Sequence, residues 1–242
     1  MTDKEIVLQM SGELGCDTFF YDDKKAWKEN CLHCADFPAE CNPCGGIHAL
    51  CENERITRIL FSGEPICEIS PNISKLSALV VLDFFCVSAK SLPASIADLS
   101  ALKIIRIDGC SDLKELPDSI GKLSSLKALE IDYSGIEALP ESIGNLPQLK
   151  VLCCFYCRSL YELPSSIGNL SALEHLNIAC SRVRELPKSI VNLTKLVFFD
   201  AERCEFIGTH WFPDIEIPQE LKRILRQNAK SNQGTSRKGE PH

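Results

Sequence analysis

From Ile56 to about residue 205 the apolar positions recur with a fixed period. Leu79, Leu102, Leu126, Leu149, Leu173 and Leu196 each open a segment Leu-x-x-(Leu/Ile/Phe)-x-apolar, separated by 23, 24, 23, 24 and 23 residues. Ile56 opens one more unit 23 residues before Leu79. Counting the opening residue as offset 0, apolar side chains at offsets 0, 3 and 5 (Leu126, Leu129, Ile131) predict a short strand that alternates between an inner and an outer face. A second landmark, Leu-Pro, recurs at Leu92-Pro93, Leu116-Pro117, Leu139-Pro140, Leu163-Pro164 and Leu186-Pro187, each followed by Ser-Ile and then Leu three residues on. Proline at the start, with Ile and Leu three apart on one side, predicts a short helix or 3₁₀ turn on the opposite surface. Gly121, Gly144 and Gly168 are expected to end that turn in a left-handed conformation. Residues 102–148 and 149–195 are identical at 22 of 47 positions, a duplicated pair of units. No such unit is stable alone, and stacking buries the leucines of each against the next.

This period and consensus resemble the leucine-rich repeat. The resemblance implies an α/β solenoid of about six or seven units over residues 56–205. Its chain would wind as a right-handed superhelix, with a parallel sheet on the concave face and short helical or 3₁₀ turns on the convex one. Offset 8 holds Cys110, Ser134, Cys157, Ser181 and Cys204, small residues where leucine-rich repeats usually place Asn. The stretch from Gly109-Cys110-Ser111-Asp112-Leu113 to Ser119-Ile120-Gly121 is similar to the repeats of plant disease-resistance proteins and of plant-like effectors of some intracellular bacteria.

Residues 1–55 read as a Cys-rich N-terminal cap. Ala26-Trp27-Lys28, Cys44-Gly45-Gly46-Ile47 with Cys51, and Arg55-Ile56-Thr57-Arg58-Ile59 resemble the cap of plant extracellular leucine-rich-repeat proteins, a likeness that implies a disulfide between Cys44 and Cys51. At the far end, residues 206–226 are expected to close the solenoid, Trp211 and Phe212 as a lid and Glu220–Arg226 as a helix. Residues 227–242 hold no large apolar side chain and are expected to form a disordered tail.

Charge narrows the partners. The net charge of -7 hides an acidic body, because residues 221–242 carry six Lys or Arg against one Glu and the rest carries 20 against 32. An acidic body argues against nucleic acid and anionic membrane. No apolar run approaches the ~18 residues of a membrane span, and Met1-Thr2-Asp3-Lys4-Glu5 lacks the basic start and apolar core of a secretory signal.

Fourteen cysteines raise a separate question. Cys31-x2-Cys34-x6-Cys41-x2-Cys44 offers four thiolates to a structural zinc, and the same residues also suit cap disulfides or plain thiols. Apart from that zinc no cofactor is expected. Cys110, Cys157 and Cys204 recur two turns apart, which at ~4.8 Å per turn puts them near 10 Å and beyond disulfide reach. They are expected to be free thiols, which favours a cytoplasmic location, or secretion into a host cell without a classical signal peptide. No phosphate loop, His-Glu-x-x-His or Gly-x-Ser-x-Gly occurs, so no catalysis is expected.

Function is expected on the concave strand face, at offsets 2, 4, 6 and 7. The candidate binding residues are Phe85, Arg106, Asp108, Glu130, Asp132, Tyr133, Phe155, Tyr156, His175, Asn177, Asp200 and Glu202, with Arg58, Asp83, Phe198 and Arg203 on the same rows. Phe85, Phe155 and Tyr156 stand outside the burial pattern and are expected to cluster beside Tyr133 as interface anchors. The expected function is a monomeric, non-catalytic module binding a protein of basic surface, as a bacterial effector acting on a host protein. The alternatives are a secreted plant-type inhibitor or recognition protein, and a metal-binding or ubiquitin-ligase-adaptor role through the N-terminal cysteines.

Overall fold

The structure is a computed structural model that describes residues 1–22, 45–63, 66–202 and 217–235. Among the described residues nine strands form one sheet in sequence order: β1 (Asp17–Tyr21), β2 (Gly46–Glu52), β3 (Arg55–Ser62), β4 (Val81–Phe85), β5 (Ile104–Asp108), β6 (Ala128–Asp132), β7 (Val151–Cys153), β8 (His175–Asn177) and β9 (Phe198–Asp200). From β3 onward each strand is parallel to the next and pairs in the register of the repeat, Leu82 with Ile105, Leu129 with Leu152, Leu176 with Phe199. The opposite side of each turn is a 3₁₀ helix: Pro71–Lys75, Ala94–Asp98, Asp118–Lys122, Glu141–Asn145, Ser165–Asn169 and Lys188–Asn192. The α/β leucine-rich-repeat solenoid expected from the periodicity is the fold observed. Leu79, Leu102, Leu126, Leu149, Leu173 and Leu196 at offset 0 are fully buried, as are Ile59, Leu82, Ile105, Leu129, Leu152 and Leu176 at offset 3. Each such side chain contributes about 1.5–3 kcal/mol of burial.

Two rows of hydrogen bonds explain the consensus. On the convex side the serine after Leu-Pro-x donates its hydroxyl to a carbonyl of the preceding turn: Ser95 to Pro71 (3.1 Å), Ser119 to Ala94 (2.7 Å), Ser166 to Glu141 (2.6 Å) and Ser189 to Ser165 (2.6 Å). On the other side the offset-7 residue turns off the sheet in a left-handed conformation. Gly63, Cys86, Gly109, Tyr133, Tyr156 and Cys180 all have φ between 50° and 68°. That geometry aims each N–H at the offset-6 carbonyl of the next turn, as in Tyr133 to Phe155 (3.0 Å) and Tyr156 to Ala179 (2.9 Å).

The convex glycines act differently from the expectation. Gly121, Gly144 and Gly168 are not left-handed; they sit where the next turn crosses, and a Cβ there would lie 2.2, 2.5 and 2.2 Å from the carbonyl oxygens of Ser142, Ser166 and Ser189. Close stacking of turns, not chain reversal, is what requires glycine.

The ends also depart from the repeat. The sheet is not wholly parallel, because β2 and β3 form an antiparallel hairpin through Asn53 and Glu54, both at positive φ (51° and 63°). That turn has the type I′ signature that matches strand twist. Helix α1 (Asp3–Leu14) is started by a capping box between Thr2 and Glu5 and stopped at the left-handed Gly15. It seals the first turn with Ile6, Val7 and Met10, and the Asp3 carboxylate accepts from the Ile56 amide (2.9 Å) and Arg55 (3.0 Å).

At the far end, helix α2 runs over Gln219–Thr235, past Arg226 and into the stretch expected to be a disordered tail. Leu221 and Ile224 are buried, and Asn228 donates to the carbonyls of Thr194 (3.0 Å) and Leu196 (2.8 Å). Side-chain hydrogen bonding to the last turn of the array holds a segment that hydrophobicity alone left unanchored. Among the described residues no helix is long and apolar enough to cross a membrane.

Candidate functional site

The concave face divides into two halves. Toward the N-terminus its charges neutralise one another. Asp83, only 7% exposed, accepts from Arg58 (2.8 and 2.6 Å) and from Arg106 (3.2 Å), and Arg106 reaches on to Glu130 (3.1 Å). Beside this ladder Phe85 packs with Leu50, Leu60 and Tyr21 in a small apolar cluster. Phe85 therefore belongs with the cap and not with Tyr133, because β3 presents Leu60 to it across the sheet. His48 is also buried here, stacked on Phe19 (4.8 Å) and bonded through Nδ1 to the Tyr21 hydroxyl (3.1 Å). Sequence reasoning did not place His48 on this face, because β2, the strand that carries it, precedes the first repeat.

Toward the C-terminus the face is aromatic and acidic. Tyr133 lies 5.4 Å from Phe155 in an edge contact and 4.8 Å from Tyr156, with Phe155 and Tyr156 at 6.1 Å. Tyr133 is 46% exposed. Arg158 stacks its guanidinium 4.1 Å above the Tyr156 ring and donates to the Tyr156 hydroxyl. His175 and Phe198 continue the surface at 6.0 Å, and Phe198 is exposed.

Asp108 and Asp132 are register neighbours on β5 and β6 and, among the described residues, neither makes an ion pair. Burial and then the charge of Asp132 raise the pKa of Asp108; burial raises that of Asp132, although the Cys153 thiol and the Phe155 amide bonded to it pull the other way. Burial and the charges of Asp108, Tyr156 and Asp132 raise that of the Tyr133 phenol as well. The sheet thus holds an uncompensated pair of carboxylates beside exposed aromatic rings.

Three predicted residues are engaged by the chain itself. Asp132 accepts from the Phe155 amide, Asn177 from Ala179 and Asp200 from Glu202, each at 2.9 Å, closing the strand ends. Glu202 is exposed, and Arg203 lies outside the described residues.

Of the cysteines, Cys31, Cys34, Cys41, Cys44 and Cys204 lie outside the described residues, as do Trp27, Trp211 and Phe212. The implied pairing of Cys44 with Cys51 falls on Cys44, outside the described residues; Cys51 itself is a free thiol turned into the core at the bulge of β2. Cys110 and Cys157 are free and buried as expected, and burial pushes the Cys110 thiol up to about 12. The array is not thiol throughout, because Cys180 is disulfide-bonded. Among the described residues no group of His, Cys, Asp and Glu could hold a metal.

No protein-family model and no curated protein matches the chain. Solved structures do. A leucine-rich-repeat protein of Leptospira interrogans superposes with a TM-score of 0.62 at 22% identity, over 85% of this chain and 50% of that one. A plant ice-binding protein superposes with a TM-score of 0.50 at 20% identity, over 83% of this chain and 70% of that one. The chain spans half the length of the Leptospira protein, and at these identities the likeness is one of fold.

Proposed function

We propose that this leucine-rich-repeat solenoid is a monomeric, non-catalytic protein-interaction module whose concave face, centred on Tyr133, Phe155 and Tyr156, binds a partner of basic surface. One observation carries the reading: tyrosines with exposed or half-exposed rings occupy two left-handed offset-7 positions, where the backbone favours glycine. Strained aromatic side chains are retained where they contact something. Asp108 and Asp132 set the sign of the partner, since a cation beside them relieves their mutual repulsion, and Arg158 on Tyr156 illustrates the stacking a partner's arginine would use. The narrower role we attach to this module, an effector acting on a host protein, is supported by the plant-type wording of residues 109–121.

The test is affinity capture with wild type, with the pair Phe155→Asp and Tyr156→Asp, and with a convex-face control, Lys188→Asp. Proteins of basic surface held by wild type and the control but lost by the concave variant are expected. Identical capture by all three would overturn the site.

A second reading has one observation in its favour. The disulfide at Cys180 suits an oxidising compartment, as a secreted recognition or inhibitor protein requires. Thiol counting in denaturant on protein from its native source separates the two, since fourteen free thiols would end the secreted reading.

A further inference from the structure

The fifth repeat breaks the core pattern at one place. At offset 5 the described units carry Phe61, Phe84, Ile107, Ile131, Cys154, Ile178 and Ala201, so a thiol stands at this core position in this unit alone. Three residues on, offset 8 is Cys157, and no other described unit has cysteine at both positions. Both side chains are fully buried and turned into the core. They flank a tight turn whose central residues are Phe155 and Tyr156. The corner Cα atoms of such a turn lie within about 7 Å, a separation that overlaps the ~4.4–6.8 Å span of a disulfide. Both thiols enter the one continuous core from the two ends of that turn. Cys157 also donates to the Ile131 carbonyl (2.7 Å) and contacts the Ser134 hydroxyl (3.3 Å).

We infer that Cys154 and Cys157 are a redox-active dithiol that closes to a disulfide beneath the aromatic turn. The side chain at 154 is smaller than the Phe or Ile that the four preceding repeats and the next one hold there, and a second thiol at the other end of the turn gives that departure a use. The oxidant is a small-molecule disulfide such as oxidised glutathione. Cys157, whose thiolate the Ser134 hydroxyl 3.3 Å away can donate to, attacks it and releases one glutathione thiolate. Cys154 then attacks the mixed disulfide and releases the second. The two thiols lose two electrons and two protons, and oxidised glutathione takes up both to become two thiols. Because both sulfurs are buried, exchange follows local opening of the turn. Closure ties the backbone on either side of Phe155 and Tyr156. Its effect on partner binding rests on the concave-face reading, whereas the disulfide itself does not.

The folded chain is equilibrated in glutathione buffers from reducing to oxidising poise, alkylated and digested with trypsin. Cleavage after Lys150 and Arg158 gives one peptide holding Cys153, Cys154 and Cys157. At the oxidising end that peptide is expected to be two hydrogens lighter and to take up label at Cys153 only. Cys153→Ser is expected to keep the loss, and Cys154→Val and Cys157→Ser to abolish it. Full labelling of all three cysteines at the most oxidising poise overturns the inference. So does a glutathione adduct without ring closure, or loss of closure in Cys153→Ser. Capture by the oxidised and reduced forms is then compared. Equal capture removes the coupling to binding, and absence of capture by both removes the function proposed above while leaving the disulfide result standing.

Discussion

Replacing Tyr133 by glycine and by alanine separates backbone strain from side-chain function. Both substitutions delete the ring and with it the edge contact to Phe155, a pair of the kind worth about 0.5–1.5 kcal/mol. They differ in the backbone. At φ 50° a Cβ meets the following carbonyl at a cost of roughly 1–2 kcal/mol, which alanine keeps and glycine removes. Glycine also frees the unfolded chain, a loss of about 0.5–1 kcal/mol. Subtracting the centres of the two ranges leaves Tyr133→Gly more stable than Tyr133→Ala by about 0.75 kcal/mol, the reverse of the order at ordinary strand positions. In a chain of this size that is a melting temperature higher by about 1–4 °C. Circular dichroism melts and urea titrations of the two variants measure it, and partner capture is expected to fall equally in both because both lack the ring. Alanine equal to or more stable than glycine would refute the strain argument, and with it the reason for treating Tyr133 and Tyr156 as functional.

Three other outcomes follow from the geometry. Gly121→Ala places a Cβ 2.2 Å from the Ser142 carbonyl, so adjacent turns separate, and a loss of about 1–3 kcal/mol is expected in urea titration. Asp83→Ala leaves Arg58 and Arg106 without their shared carboxylate and is expected to cost about 1–3 kcal/mol, with a smaller deficit at high salt where the pair is screened. Asp108 holds its proton more tightly folded than unfolded, so the folded chain binds more protons above the ordinary carboxyl value near ~3.9, and stability falls as pH rises from there through the folded-state value. Asp108→Asn is therefore expected to melt higher than wild type at neutral pH and level with it near pH ~3, where the carboxyl is protonated in both states; a lower melting temperature at neutral pH would show that the charge is compensated.

Leucines at offsets 0 and 3, spaced at 23 and 24 residues, and Leu-Pro-x-Ser-Ile were enough to determine the solenoid, its register and its buried side chains, because each repeat has one way to hide them and that way is set by local alternation. The ends escaped this logic. The Thr2–Glu5 capping box of α1 was present as Thr-x-x-Glu, and Asn53 hinted at the hairpin, but Glu54 stands where a type I′ turn usually shows glycine. Helix α2 depends on Asn228 finding carbonyls of the last turn, a contact between distant residues that composition does not announce.

The same divide runs through the site. The alternation of the strands placed Tyr133, Phe155, Tyr156, Asp108 and Asp132 on the concave face, and their types pointed to a basic partner. Only the tertiary structure showed that Arg58, Asp83, Arg106 and Glu130 satisfy one another, that Phe85 is taken by Leu50 and Leu60, and that Asn177 and Asp200 close their own strand ends. Periodicity says which way a side chain points. Whether a charge or ring is already partnered depends on neighbours in the adjoining turns and the cap and on backbone dihedrals at the strand ends, which the stacking of turns determines.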